Sequence, residues 1–372
     1  MRELTDGSTA IVRGAVDAGC NFFAGYPITP ASQILTAMTR EMPKRGGVAI
    51  QGEDEISSIG MCIGATMAGA RAMTATSGPG ISLYSENIGM AVMGEVPLVI
   101  VDVQRLGPST GGATTAAQGD IQFVRWGTGG GYPIIALAPS TVPECYTLTM
   151  KAFDLAERFR CPVFLLTDKE LNLTATTVDI EDYQRVEVRP RSRRSAETSI
   201  EPPYSYDPPD AVGAVATYGD PAIVRFTGST HDERAFISKD PATVGALNEH
   251  LVAKIHAHQD EIDLVATDLD PKATTAFLSY GITAGSMREA VRIARADGRR
   301  VSAATVHSIW PVPETAIRAI LEGHDRVVIG ELNHGQYRRE IERLAGPGTE
   351  VIGVHRNDGT LITPADFLEV LI

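Results

Sequence analysis

The sequence predicts an α/β protein in which a parallel sheet flanked by helices is followed by a smaller second α/β unit. Three observations carry this. Short apolar runs of strand length alternate with segments of helical length from residue 8 to about 170, and such alternation marks a parallel sheet covered on both faces. The alternation resumes after residue 262, beyond a long irregular connection closed by one amphipathic helix. Finally, 372 residues, 43% hydrophobic and 21% charged, suffice for two or three domains with large cores, at about 150 residues per domain.

Along the chain, residues 21–25, 48–51, 72–76, 97–103, 134–138 and 162–167 are apolar enough for buried strands. Helices are expected between them at 57–70, 83–93 and 142–159. Residues 176–261 read as an irregular connection: an Arg-rich run, a Pro- and Tyr-rich run at 202–209, then His231-Asp232-Glu233 and an amphipathic helix at 241–258. The second unit, 262–372, has strands at 264–267, 274–280, 301–306, 326–330 and 350–353, with helices at 284–296, 314–321 and 336–344. Domain bounds are thus expected at 1–175, 176–261 and 262–372.

Composition excludes several function classes. The net charge of −13 disfavours nucleic acid and anionic membrane as partners. No apolar run reaches transmembrane length, and the acidic start Met1-Arg2-Glu3-Leu4-Thr5-Asp6 lacks the apolar block of a signal peptide, so a cytoplasmic protein is expected. The four cysteines, at 20, 62, 145 and 161, form no CxxC, which argues against an iron–sulfur centre, structural zinc or a disulfide framework in this chain. No metal is expected here.

Functional loops of open α/β sheets lie at the carboxyl ends of strands, and three loops stand out. In Gly25-Tyr26-Pro27-Ile28-Thr29-Pro30, two prolines bracket Thr29, which suits a helix N-cap or a hydroxyl that binds a ligand carboxylate. Gln51-Gly52-Glu53-Asp54-Glu55 opens a helix that continues through Gly60, Gly64 and Gly69. Acidic residues there suit the macrodipole, whereas the glycine spacing allows another backbone or a cofactor ring to come close. In the third, an apolar strand delivers Arg105 into Gly107-Pro108-Ser109-Thr110-Gly111-Gly112-Ala113-Thr114. An Arg in that position serves a structural salt bridge or bidentate recognition of a carboxylate or phosphate. Ser77-Gly78-Pro79-Gly80 reads as a tight turn or an anion cradle, Cys62 as a core residue, and His231-Asp232-Glu233 as a loop clamp or a metal-site fragment.

Together, Tyr26-Pro27-Ile28-Thr29-Pro30, the Glu55 helix and the run from Gln104 to Thr114 resemble the α subunit of the 2-oxoacid:ferredoxin oxidoreductases, which are thiamine-diphosphate enzymes. Ser77-Gly78-Pro79-Gly80, Ala117-Gln118-Gly119-Asp120 and Arg125-Trp126-Gly127 also fit. The likeness is greatest to the 2-oxoglutarate type, with the pyruvate, branched-chain and aryl-pyruvate types as alternatives and a non-catalytic assembly chain as a remote one.

The resemblance implies a thiamine-diphosphate-binding fold, with a pyrimidine-binding domain followed by a transketolase C-terminal-like domain. It implies a β subunit carrying the diphosphate and Mg²⁺ site and an iron–sulfur cluster of the 4Fe–4S type, in an (αβ)₂ assembly. It implies that Glu55, with Glu53 as the nearby alternative, hydrogen-bonds N1′ of the aminopyrimidine. Tyr26, Pro27, Ser77 and Gly78 would contact the cofactor. Thr29, Arg105 and Thr114 would hold the carboxylate of the 2-oxoacid, with orientation mattering as much as affinity because that carboxylate leaves as CO₂. His231 and the arginines among 189–194 are candidates for the distal carboxylate of 2-oxoglutarate. CoA would accept the acyl group and ferredoxin the electrons.

Overall fold

The computed structural model describes residues 1–194, 202–220 and 224–371. Its main sheet forms around Leu98–Gln104 and Pro162–Asp168, in which all seven residues of each strand are buried. Burial of every residue fits only a position covered on both faces. Seven strands line up in the order Ser308–Trp310, Ile135–Leu137, Pro162–Asp168, Leu98–Gln104, Ala72–Thr76, Phe22–Gly25 and Val48–Gln51. All neighbours are parallel except the first pair. The strands expected in this unit appear within two residues of their anticipated ends.

Helices Gly7–Asp17, Ser32–Glu41 and Val142–Phe159 contribute to the core on one side of the sheet, and Glu55–Met67 and Ser85–Met93 to the core on the other. The helix expected at 83–93 is two, Gly78–Leu83 and Ser85–Met93. Glu55–Met67 starts two residues earlier than anticipated because Asp54 caps it: its carboxylate accepts from Ser57 N at 2.7 Å, and Ser57 Oγ answers the Asp54 N–H.

The second sheet has the order Glu350–His355, Arg326–Glu331, Thr275–Ser279, Ser302–Val306 and Val265–Asp268, with only the last strand antiparallel. Two features were not foreseen. Arg2–Thr5 pairs with Thr176–Asp179, and Ser308–Trp310 leaves the second unit to extend the first sheet antiparallel to Ile135–Leu137. Among the described residues, no helix is long and apolar enough to cross a membrane.

The connection is pinned down by specific contacts. Arg191 is buried against Glu157 at 2.8 Å and donates to the carbonyl of Thr66. Arg193 donates to the carbonyl of Gly69, and Arg189 pairs with Asp154 and Glu261. His231 is buried over the Tyr204 ring at 4.6 Å, and Tyr204 Oη donates to the carbonyl of Gly94, ahead of Leu98–Gln104.

Candidate active site

Four adjacent parallel strands deliver the site. Phe22–Gly25, Val48–Gln51, Ala72–Thr76 and Leu98–Gln104 point their carboxyl ends the same way. Their following loops carry Tyr26 to Pro30, Glu55, Ser77 with Gly78, and Arg105 respectively.

Glu55 is the first residue of its helix and only 7% exposed, whereas Glu53 is exposed. Burial therefore separates two carboxylates that spacing alone left close. Glu55 packs where it does because residue 80 has no side chain: a Cβ on Gly80 would lie 1.9 Å from Thr76 Oγ1 and 2.8 Å from Glu55 Cγ. By contrast, a Cβ on Gly60 or Gly64 would meet nothing within 4 Å. Among the described residues, nothing makes the close approach that those glycines allow.

Arg105 is 5% exposed, and burial pushes its guanidinium below the usual range, against the opposing pull of Asp120 and Glu55. Its fork spans two loops: Nη1 donates to the Thr29 carbonyl at 2.6 Å and Nη2 to the Thr110 carbonyl at 2.9 Å. Its Nε is buried without a partner. Of the two readings for Arg105, the structural salt bridge is not formed among the described residues, and carbonyl contacts take its place. A cation satisfied by neutral carbonyls keeps most of its charge available to an anion.

The N-cap expectation for Thr29 fails. The helix runs from Ser32 to Glu41 with Ala31 at its cap and no side-chain cap bond, because a turn closed by Ser32 N–H to the Ile28 carbonyl intervenes after the cis Thr29–Pro30 peptide. The exposed Thr29 side chain is left for another use, while its carbonyl holds Arg105. Tyr26 is half-buried and Pro27 exposed. Ser77 is buried with Oγ unpartnered, and it makes no side-chain cap to Gly78–Leu83. Thr76 Oγ1 is likewise orphaned. Thr114 lies exposed on the loop, and no hydrogen bond among the described residues ties its side chain to Arg105; Thr110 occupies that role through its carbonyl.

His231 and the Arg-rich run are placed away from Glu55 within this chain. Thr66 and Gly69, which Arg191 and Arg193 contact, lie at the far end of the Glu55 helix, about 20 Å along its axis. His231 sits towards the amino ends of the sheet strands, and its Nδ1 bonds the Ser229 carbonyl. Asp232 accepts from Arg234 N and Phe236 N, and Glu233 from Tyr206 N, so the triplet clamps its own loop.

Sequence reasoning passed over two carboxyls. Asp102 is fully buried on the strand that leads to Arg105, and Asp120 faces it. The signal for Asp102 was a carboxylate inside the apolar string Leu98 to Val103, where an unpaired charge is costly.

Comparison with known proteins follows this geometry. Residues 13–247 match the family described as pyruvate flavodoxin/ferredoxin oxidoreductase, thiamine diphosphate-binding. Residues 273–367 match pyruvate:ferredoxin oxidoreductase core domain II. The 2-oxoglutarate synthase subunit KorA of Methanothermobacter thermautotrophicus is 41% identical, over 98% of this chain and 97% of its own. The ketoisovalerate oxidoreductase subunit VorB of the same organism is 36% identical, over 99% and 96%. The solved 2-oxoglutarate:ferredoxin oxidoreductase from Magnetococcus marinus, with 2-oxoglutarate, coenzyme A and succinyl-CoA bound, superposes with a TM-score of 0.92 at 30% identity, covering 99% of this chain and 64% of that one.

Proposed function

From the premise that this chain belongs to the pyruvate flavodoxin/ferredoxin oxidoreductase family, we propose that it is the α subunit of a CoA-dependent 2-oxoglutarate:ferredoxin oxidoreductase. The reaction converts 2-oxoglutarate, CoA and two oxidised ferredoxins into succinyl-CoA, CO₂, two reduced ferredoxins and a proton, or runs in reverse as a carboxylation. The observation that carries this is the convergence of a buried carboxylate, Glu55, and a desolvated guanidinium, Arg105, at the carboxyl edge of one parallel sheet, after the strands Val48–Gln51 and Leu98–Gln104. The 41% identity to a 2-oxoglutarate synthase subunit, against 36% to a ketoisovalerate one, favours 2-oxoglutarate over branched-chain acids.

The residues present fit thiamine diphosphate. Glu55 lies in a dry position, packed against Thr76 and Gly80, and Ser77 Oγ and Thr76 Oγ1 are buried without partners among the described residues. When bound, thiamine diphosphate supplies a carbon nucleophile for the keto group and an electron sink for loss of CO₂. Glu55 holds N1′ of the aminopyrimidine through a hydrogen bond that water does not contest. Tyr26, Pro27, Ser77 and Gly78 would contact the cofactor from the neighbouring loops. Arg105 orients the C1 carboxylate of the oxoacid, the Thr29 hydroxyl supports it, and Thr114 stands at the exposed rim. A partner β subunit supplies the diphosphate and Mg²⁺ site and the iron–sulfur cluster, and the α and β chains assemble as (αβ)₂.

The test uses the chain co-expressed with its β subunit under anaerobic conditions, with thiamine diphosphate and Mg²⁺. Viologen reduction is followed with 2-oxoglutarate, pyruvate and 2-oxoisovalerate, with and without CoA. Turnover is expected on 2-oxoglutarate and to require CoA. Glu55→Gln should lower kcat by about 10²–10⁴-fold. Turnover on another oxoacid alone would overturn the substrate, and full activity in Glu55→Gln would overturn the role of Glu55.

A further inference from the structure

Asp102 and Asp120 have no part in the site as described so far, yet they lie directly beneath it. Asp102 is two residues before Gln104 on the same strand, and side chains two apart share a face. Gln104 Oε1 accepts from the Asp120 backbone N–H at 3.2 Å, which brings Asp120 over that face. The two carboxyls then face one another. Both oxygens of Asp102 and Oδ2 of Asp120 are buried and, among the described residues, accept no hydrogen bond of ordinary geometry. Two ionised carboxylates cannot persist in such a place. One proton shared between them supplies a donor for the orphaned oxygens and leaves the pair with a single negative charge.

The surroundings decide where that charge sits. Asp102 is deeper, with Asp120 and the Gly78 N–H acting on it, and burial followed by the Asp120 charge drives its carboxyl well above the usual range. Asp120 is pushed up to about 6 by burial, against the lowering effects of Asp102 and Arg105. Arg105 faces Asp120 and, from the Glu55 helix, Glu55 itself. These are the titratable groups that bear on the pair. The deeper burial of Asp102 favours the proton there and leaves the charge on Asp120, which acts on Arg105 through its field, since no ion pair within 4 Å joins the two among the described residues.

We propose that the Asp102–Asp120 pair is a positioning device that tempers the charge of Arg105, so that the carboxylate of the oxoacid is oriented without being over-bound. This rests on the reading of Arg105 as the group that holds that carboxylate. A full, isolated cation would stabilise the bound carboxylate more than the transition state in which its charge is being lost as CO₂, so tighter binding would slow the reaction. A counter-charge behind Arg105 relieves this. Gly119, before Asp120, accepts from Gln336 Nε2 of the second unit, so the counter-charge is held by the packing of both units.

The test measures kcat and KM for the oxoacid in the αβ complex across pH, in wild type and Asp120→Asn. In Asp120→Asn, kcat and KM should fall together, each by about tenfold, because the counter-charge is gone while the shape remains. In wild type both should fall together as pH drops through about 6, where Asp120 takes up a proton, and that limb should be absent in the variant. A merely structural role would leave KM unchanged or raise it, and either result overturns the proposal. Infrared spectra of the complex provide a readout that needs no turnover: a protonated-carboxyl stretch should be present at neutral pH and lost in Asp102→Asn. Absence of that band in wild type also overturns the proposal. Arg105→Lys separates the two ideas. If it leaves the oxoacid KM unchanged, the reading of Arg105 itself fails; if KM changes there but does not fall in Asp120→Asn, only the tempering role fails.

Discussion

Gly80 decides whether Glu55 can occupy its place. A methyl group there would sit 1.9 Å from Thr76 Oγ1 and 2.8 Å from Glu55 Cγ, distances that require something to shift. Alanine would gain about 1 kcal/mol as a helix former, but overpacking in a dense interior costs about 1–3 kcal/mol, so the clash wins. Gly80→Ala is expected to lower the apparent affinity of the αβ complex for thiamine diphosphate by at least about tenfold, measured by titrating cofactor-depleted enzyme. Unchanged affinity would mean that Glu55 and Thr76 move aside freely. At this scale the sequence was partly legible. The spacing of Glu55 before its glycines and the place of Arg105 after an apolar strand could be read directly. The choice of Glu55 over Glu53 needed burial to support it. The reading of Thr29 as a cap failed because residue preferences cannot show that a turn delays the helix to Ser32. The importance of Gly80 lies in a contact between two loops, which no local pattern records.

Helix Pro241–His256 shows how an element outside the main sheet is locked onto it. Its Lys254 reaches Glu95 at 2.9 Å and its His250 reaches the same carboxylate at 3.1 Å, with all three side chains buried. Burial alone would raise the Glu95 pKa, but Lys254, Arg160 and His250 outweigh it and hold the carboxyl well below the usual range. A depressed carboxylate contributes stability that is present above its unfolded pKa, about 4.3, and is lost as pH falls towards its folded value. Stability should therefore decline on acidification below about pH 4.3. Lys254→Met leaves Glu95 buried with a weakened set of partners, and should cost about 3–5 kcal/mol, read as a lower midpoint in urea unfolding at neutral pH. A loss below about 1 kcal/mol would show that His250 and Arg160 suffice alone. The helix itself was legible from its apolar period. Its anchoring was not, because Glu95 and Lys254 are 159 residues apart in the chain. The same applies to Ser308–Trp310, a three-residue strand that belongs by sequence to one unit and by hydrogen bonding to the other.

The two α/β units act as one frame for the loop that carries Arg105. Gln118, which follows that loop, is fully buried and is fastened almost entirely by the second unit. Its backbone N–H donates to the Leu332 carbonyl at 2.9 Å, and its carbonyl accepts from Asn333 Nδ2 at 2.6 Å. Its side-chain oxygen accepts from Thr283 Oγ1 and Leu332 N, each at 3.1 Å, and its amide donates to the Tyr280 carbonyl at 3.3 Å. Gly281 admits this amide: its φ is +56°, and a Cβ there would lie 2.3 Å from Gln118 Nε2. Alongside, Asp168 of the first unit accepts from Ile282 N of the second at 2.9 Å. Gln118→Ala would strip partners from buried groups in the second unit, at about 1–3 kcal/mol for each group left unsatisfied, and would free the segment that leads to Asp120. Calorimetry of the wild-type chain should show the two units unfolding in one transition, and the variant should resolve two. Because the segment from Leu106 to Asp120 carries both Thr110, which holds Arg105, and Asp120, which faces it, kcat/KM for the oxoacid should fall by at least about tenfold while Glu55, Thr29 and Arg105 are unaltered. Two resolved transitions already in the wild type would show that the units stand independently, and a variant with unchanged kcat/KM would show that the loop holds its own shape. The tight constraint on Gln118 argues for the opposite: the second unit contributes to catalysis by fixing a loop of the first.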